Sequence, residues 1–162
     1  MSVSAEDVFF MNAALEQARA ALDIGEIPVG AVAVCDNRIL SAAYNRRLVD
    51  QSPFAHAEML AMQGAAGLLQ NWRFDDCTLY VTLEPCPMCA GAIVQTRIAR
   101  VVYGASDPKA GAGGTLYNIL NDPRSPHRCQ VESGVLASES LALLREYFQN
   151  KRKRQWKTGQ SE

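Results

Sequence analysis

Cys86 and Cys89 stand three apart within Thr82 to Ala92, which reads Thr-Leu-Glu-Pro-Cys-Pro-Met-Cys-Ala-Gly-Ala. An apolar run (Leu79, Val81, Leu83) precedes them and a helix-forming stretch follows. Residues i and i+3 share one face of a helix, so both sulfurs can reach one ion. The partial positive charge at a helix start also favours thiolate over thiol. Upstream, the chain reads His56-Ala57-Glu58. One imidazole and two thiolates make three zinc ligands, one short of a closed tetrahedral site. A catalytic zinc needs that open position for water. Glu58 would then stand beside the metal as a carboxylate free to move protons.

Each fragment also has a plainer reading. A Cys-x-x-Cys pair alone fits a redox dithiol or half of a structural zinc knot, and a lone histidine is more often a core or cap residue than a ligand. A redox dithiol has no need of a His-x-Glu partner. A knot requires a fourth ligand, which Cys77 or Cys129 could supply, but neither has the close spacing such knots show. Cys35, Cys77 and Cys129 are scattered singly and are predicted to be reduced structural thiols, which suits a cytoplasmic protein.

Hydrophobic residues make up 48% of the 162, enough for one domain with a real core over 1–162. No run of eighteen apolar residues is present, so no membrane span is expected. The polar, acidic start, Met1 to Asp7, lacks the pattern of a secretory signal. Charge is uneven: residues 1–150 carry 11 basic and 16 acidic side chains, whereas the tail carries Lys151, Arg152, Lys153, Arg154 and Lys157 against Glu162. Such a cluster can track phosphate. It can equally be a solvated helix end, where cations oppose the macrodipole.

The elements that must position these residues follow from periodicity. Ser4 or Asp7 can cap a helix running to about Ile24, with Gly25 as its stop. Ile27 to Asn45 reads as a β-hairpin turning at Asp36-Asn37, central in the sheet because its first strand is apolar on both faces. Ser52-Pro53 is predicted to open the next helix. Residues i and i+2 of a regular helix point about 160° apart. His56 and Glu58 can therefore serve one site only if the helix start itself points at it. Two helix starts, at His56 and Cys86, should converge on the metal. Gly64 to Phe74 reads as a helix end and loop anchored by Trp72. Thr78–Leu83 reads as a strand, Cys86–Thr96 as a helix and Arg100–Ala105 as a strand parallel to the first. Ser106–Thr115 should be a flexible glycine loop, Leu116–Leu120 a short helix and Cys129–Glu132 an edge strand. The basic C-terminal helix is predicted over about 138–157, with Leu141, Leu144 and Phe148 along one face. Together these give an α/β fold, a three-layer α/β/α sandwich around a central mixed five-stranded sheet.

His56-Ala57-Glu58 joined to Pro85-Cys86-Pro87-Met88-Cys89 resembles the zinc-dependent nucleobase deaminases of the cytidine deaminase-like superfamily. Over almost its whole length the chain is similar to the bacterial tRNA-specific adenosine deaminases. That resemblance begins at Pro28-Val29-Gly30-Ala31-Val32 and continues through Asn45-Arg46, Thr78 to Ala92, Arg97-Ile98, Gly104-Ala105-Ser106-Asp107 and Tyr147-Phe148. It implies one Zn2+ per subunit on His56, Cys86 and Cys89, with Glu58 as the proton carrier. The implied reaction is hydrolytic deamination of the wobble adenosine, position 34 of a tRNA anticodon, to inosine. It further implies that Asn45 hydrogen-bonds the target nucleoside and that Pro28, Val29, Ala57 and Leu83 line the base pocket. Asp107 and Lys109 would contact flanking nucleotides, and Tyr147, Phe148, Lys151 and Arg152 would offer stacking and phosphate partners. A cytoplasmic homodimer acting on tRNA is implied as well. Plain structural roles remain open for each of these substrate residues. Two other functions fit the same residues: deamination of a free nucleobase or nucleoside of guanine or cytosine type, and a non-catalytic zinc-containing RNA-binding module.

Overall fold

The computed structural model describes residues 3–159. Met1 and Ser2 of the polar N-terminal run, and Glu162 of the tail charge count, lie outside the described residues. The elements run α1 (Ala5–Asp23), β1 (Gly30–Cys35), β2 (Arg38–Tyr44), α2 (Ala57–Leu69), β3 (Cys77–Leu83), α3 (Pro87–Gln95), β4 (Arg100–Ala105), β5 (Gln130–Glu132) and α4 (Ala137–Thr158). The sheet order is β2-β1-β3-β4-β5. β1 pairs antiparallel with both β2 and β3, while β3–β4 and β4–β5 are parallel. This is the mixed five-stranded sheet expected, although only β1 of the hairpin is interior and β2 forms an edge. Asp36 and Asn37 both take positive φ (51° and 60°), the turn geometry that matches strand twist in a two-residue hairpin.

Alternation along the strands divides the core in two. Ala31, Ala33, Leu79, Val81, Val101 and Tyr103 pack with Ala57, Ala61, Ala65, Ala90 and Ile93 of α2 and α3. Val32, Val34, Tyr80 and Val102 turn the other way onto Phe10, Met11 and Ala14 of α1. Strand residues of period two feeding two apolar clusters produce the three layers. A polar contact ties the second face. The buried Asp7 carboxylate takes a two-pronged bond from Arg100 on β4 (2.7 and 2.8 Å) and a third from the Tyr80 hydroxyl (2.9 Å). The Arg100 guanidinium holds the Asp7 carboxyl below its ordinary value, and burial pushes the Tyr80 phenol up.

Several local expectations are corrected. α2 begins at Ala57 with His56 as N-cap, because Ser52 is used in a turn whose hydroxyl accepts from Phe54 N (3.3 Å). Phe74, at 3% exposure, anchors the loop after α2, whereas Trp72 is 61% exposed. Residues 116–120 form no helix; Leu116 and Tyr117 donate back to Gly111 O and Ile119 to Ala112 O, closing a tight fold of loop. α4 turns Ser140, Leu143 and Tyr147 inward, leaving Leu141 and Phe148 exposed. Both sets share the same spacing, and close approach decides between them: a Cβ on Gly104 of β4 would lie 2.5 Å from Ser140 Oγ. Cys35 and Cys77 are not separate thiols. The β1–β3 register sets them directly opposite, with Cα atoms 4.4 Å apart, and they form a disulfide. A separation of 42 residues hid that pairing.

Asp7→Asn should lower unfolding stability by about 2 kcal/mol at pH 7, as expected for loss of a charged, largely buried hydrogen-bonded pair. A depressed folded pKa contributes stability above the ordinary carboxylate value near 3.8 and loses it as pH falls through the folded value. The gap between wild type and variant in urea melts should therefore close in acid. Equal midpoints at pH 7 would show that this contact stabilises nothing.

Candidate metal centre and substrate cavity

α2 and α3 both begin at the same end of the sheet, and their N-caps are His56 and Cys86. Each N-cap has extended backbone, and neither side chain makes a capping bond, so ring and sulfur are free for another partner. Pro87 fits the first helical position, where its missing N–H costs nothing. The N-cap residue and the one three later meet side by side, which brings Cys86 to Cys89. His56 Nδ1 lies 3.6 Å from Cys86 Sγ and 3.5 Å from Cys89 Sγ. A tetrahedral zinc with its usual Zn–S and Zn–N bond lengths places nitrogen and sulfur ligands about 3.5 Å apart. The three donors fit zinc. Among the described residues no fourth His, Cys, Asp or Glu joins them. Cys77 is bonded to Cys35, and Cys129 is buried in the core, where burial pushes its thiol up to about 11.

The local charges follow from the contacts. Cys86 accepts the Cys89 hydrogen bond, which holds its thiol down at about 4, and the same bond drives Cys89 upward. Contact with Cys86 raises His56. Glu58 is 4% exposed, and burial pushes its carboxyl up against the opposing pull of the Cys89 contact and His56.

A cavity of about 180 Å³ opens beside these groups. It brings together eight residues singled out from sequence: Val29, Asn45, His56, Ala57, Glu58, Leu83, Cys86 and Asp107. Cys89 is buried and reaches the same centre through His56. Pro28 is buried outside the lining and Lys109 is exposed outside it. Tyr147, Phe148, Lys151 and Arg152 lie on α4, also outside the lining; Tyr147 is core and the others are exposed. Ile27, Arg47, Glu84 and Ala110 complete the lining and were not picked out from sequence. Glu84 carried a signal, a carboxylate wedged between an apolar strand and Pro-Cys; Ile27 and Ala110 carried none. Asn45 is already held: its amide donates to Glu26 Oε2 (3.4 Å) and Ile27 O (3.2 Å), and its Oδ1 accepts from Arg47 N (3.1 Å).

Residues 4–105, which contain all three donors and Glu58, match the cytidine and deoxycytidylate deaminase zinc-binding region. The chain belongs to that deaminase family. Within it, a tRNA-specific adenosine deaminase of Bacillus subtilis (strain 168) is 46% identical over 92% of this chain and 92% of its own length. A solved structure from work on A-to-I editing by tRNA:A34 deaminases at the wobble position of transfer RNA superposes with TM-score 0.81. It is 42% identical and covers 84% of this chain and 99% of that one. A Bacillus subtilis guanine deaminase superposes with TM-score 0.61 at 36% identity, over 70% of this chain and 71% of that one. The deaminase is a zinc enzyme, and His56, Cys86 and Cys89 are the donors that would hold the ion.

Cys89→Ala should reduce zinc from one ion per chain to a small fraction of that by inductively coupled plasma mass spectrometry, while Cys129→Ala should retain it. Zinc lost equally from both variants would place Cys129 among the ligands.

Proposed function

We propose that this deaminase converts the wobble adenosine, position 34 of a tRNA anticodon, to inosine. The observation that carries the chemistry is Glu58, a buried carboxylate outside the donor trio that lines the same small cavity. When bound, zinc makes water nucleophilic near neutral pH. Glu58 takes one proton as water adds at C6 of adenine and delivers it to ring N1, then takes the remaining proton of the C6 hydroxyl and delivers it to the exocyclic amine, which leaves as ammonia. Adenosine and water thus become inosine and ammonia. Val29, Ala57 and Leu83 give apolar contact to a flipped base, and Pro28, outside the lining, precedes Val29 in the chain. Asn45, fixed by Glu26 and Ile27, keeps a lone pair on Oδ1 for a polar edge.

Likeness to the tRNA:A34 deaminase structure over nearly all of that chain supports RNA as the substrate. α4 supports it independently. Phe148 (45% exposed) and Trp156 (89% exposed) stand among Lys151, Arg152, Lys153, Arg154 and Lys157, aromatic faces beside phosphate partners. Tyr147 is buried, and its part in this reading is to seat Phe148, whose ring it meets edge-on at 5.2 Å. Asp107 and Lys109 take the nucleotides flanking the target. A homodimer in the cytoplasm is part of the reading. The Cys35–Cys77 bond removes the cysteine basis for that compartment, so localisation rests on the tRNA partner. Deamination of a free base is the second reading, favoured by the guanine deaminase likeness.

Ammonia release from a wobble-adenosine stem-loop, free adenosine, cytidine and guanine separates the two. The stem-loop should react and the small substrates should not; turnover of guanine alone would select the second reading. Glu58→Ala should keep zinc and lose at least about 10²-fold in kcat, the scale of general acid–base catalysis. Wild-type turnover in that variant removes Glu58 from the reaction.

A further inference from the structure

Glu84 is 2% exposed, follows β3, and stands two residues before the ligand Cys86, yet it neither holds the metal nor carries the proton. Both carboxylate oxygens are occupied by backbone donors of one loop. Oε1 accepts from Gly113 N and Thr115 N (3.0 Å each), and Oε2 accepts from Asp107 N (2.9 Å). The main chain beside it continues the seam: Glu84 N donates to Ala105 O, and Ala112 N donates to Pro85 O (2.8 Å each). Residues 84 and 85 thus hold both limbs of the 105–115 loop.

Two glycines of this loop, Gly111 and Gly113, are there for contact. A Cβ on Gly111 would strike the Glu84 carboxylate, and one on Gly113 would lie 2.9 Å from the Tyr103 ring and 3.4 Å from Glu84 Cγ. Glycine lets the backbone close upon the carboxylate. The loop read from sequence as flexible is therefore fastened at three amides. It also carries Asp107 and Ala110, two of the residues lining the cavity, and Asp107 Oδ1 accepts from Lys109 N (2.9 Å) to shape the turn between them.

We propose that Glu84 is a positioning residue for substrate. Its carboxylate fixes the distance between the loop wall of the cavity and the helix start that carries Cys86, so that Asp107 meets the nucleotide while its base faces the metal. The proposal rests on the RNA deaminase reading. Loop contacts made equally in the bound and transition states act through KM, whereas loss of folded enzyme lowers apparent kcat and zinc content together and leaves KM unchanged.

The test uses full-length Glu84→Gln and Glu84→Ala with a wobble-adenosine stem-loop. Glutamine keeps one acceptor oxygen and turns an amide N–H₂ toward the loop donors, so it should lose part of the effect and alanine all of it. Expected are zinc at one per chain, kcat within threefold of wild type, and KM raised about tenfold in the alanine variant and less in glutamine. Amide hydrogen exchange should accelerate at Asp107, Gly113 and Thr115 but not at Val81 or Val102 of the sheet. If alanine fails to fold, the glutamine variant carries the same readouts. A wild-type KM in the folded variants overturns the proposal. If wild-type enzyme leaves the stem-loop untouched, the functional reading fails instead. Exchange then decides: unchanged protection at the three amides overturns the role of Glu84.

Discussion

Two helices must begin at one point for three donors from distant parts of the chain to share an ion. His56 and Cys86 are the N-caps of α2 and α3, and everything that orders the sheet serves to bring those caps within 3.6 Å at the donor atoms. β1 runs antiparallel to β3, so the hairpin returns the chain to the edge from which α2 starts. β3 and β4 run parallel, which obliges the link between them to cross over as α3. Both helix starts therefore fall at the same end of the central strands, where open α/β sheets commonly keep their ligands. The positive ends of two helix dipoles meeting there suit a centre that must hold thiolate sulfur.

Support for that point differs between the two faces. On the α2–α3 face it is apolar: small side chains, Ala57, Ala61, Ala65 and Ala90, let the helices lie close on β1 and β3. On the other face it is partly ionic, through Asp7, Arg100 and Tyr80, which tie α1 across to β3 and β4. Around the cavity it is carboxylate to backbone. Glu26 orients Asn45 from one side and accepts from Val49 N at 2.6 Å, while Glu84 gathers the glycine loop on the other. Both acids are buried, and each binds backbone or amide donors of the segments beside the cavity.

Much of this was legible in sequence because the relevant signals are local. Apolar runs marked β1, β3 and β4; Asp36-Asn37 marked the hairpin turn; the helix-forming stretch after Cys86 marked a helix start. The donor trio and Glu58 were legible because each is a distinct chemical requirement and all are met at once. What failed was non-local or degenerate. Ser52-Pro53 has the form of a helix opening, but His56 four residues on takes that place. On α4 two residue sets share one period, and contact with Gly104 selects the set containing Ser140, which no count of apolar residues would choose. The glycines at 111 and 113 look like freedom until the carboxylate they press against is known. Cys35 and Cys77 face each other only once the β1–β3 register exists.

A metal ion that His56, Cys86 and Cys89 would hold, with Glu58 lining the same cavity as the acid, is the arrangement on which the proposed reaction depends. Anomalous diffraction from crystals of the zinc-loaded protein at the zinc absorption edge measures it directly. The expected map has one peak at bonding distance from His56 Nδ1, Cys86 Sγ and Cys89 Sγ, with Glu58 outside the inner ring of ligands. A peak closed by a fourth protein side chain, whether Glu58 or another, would make the zinc structural and contradict the deaminase chemistry.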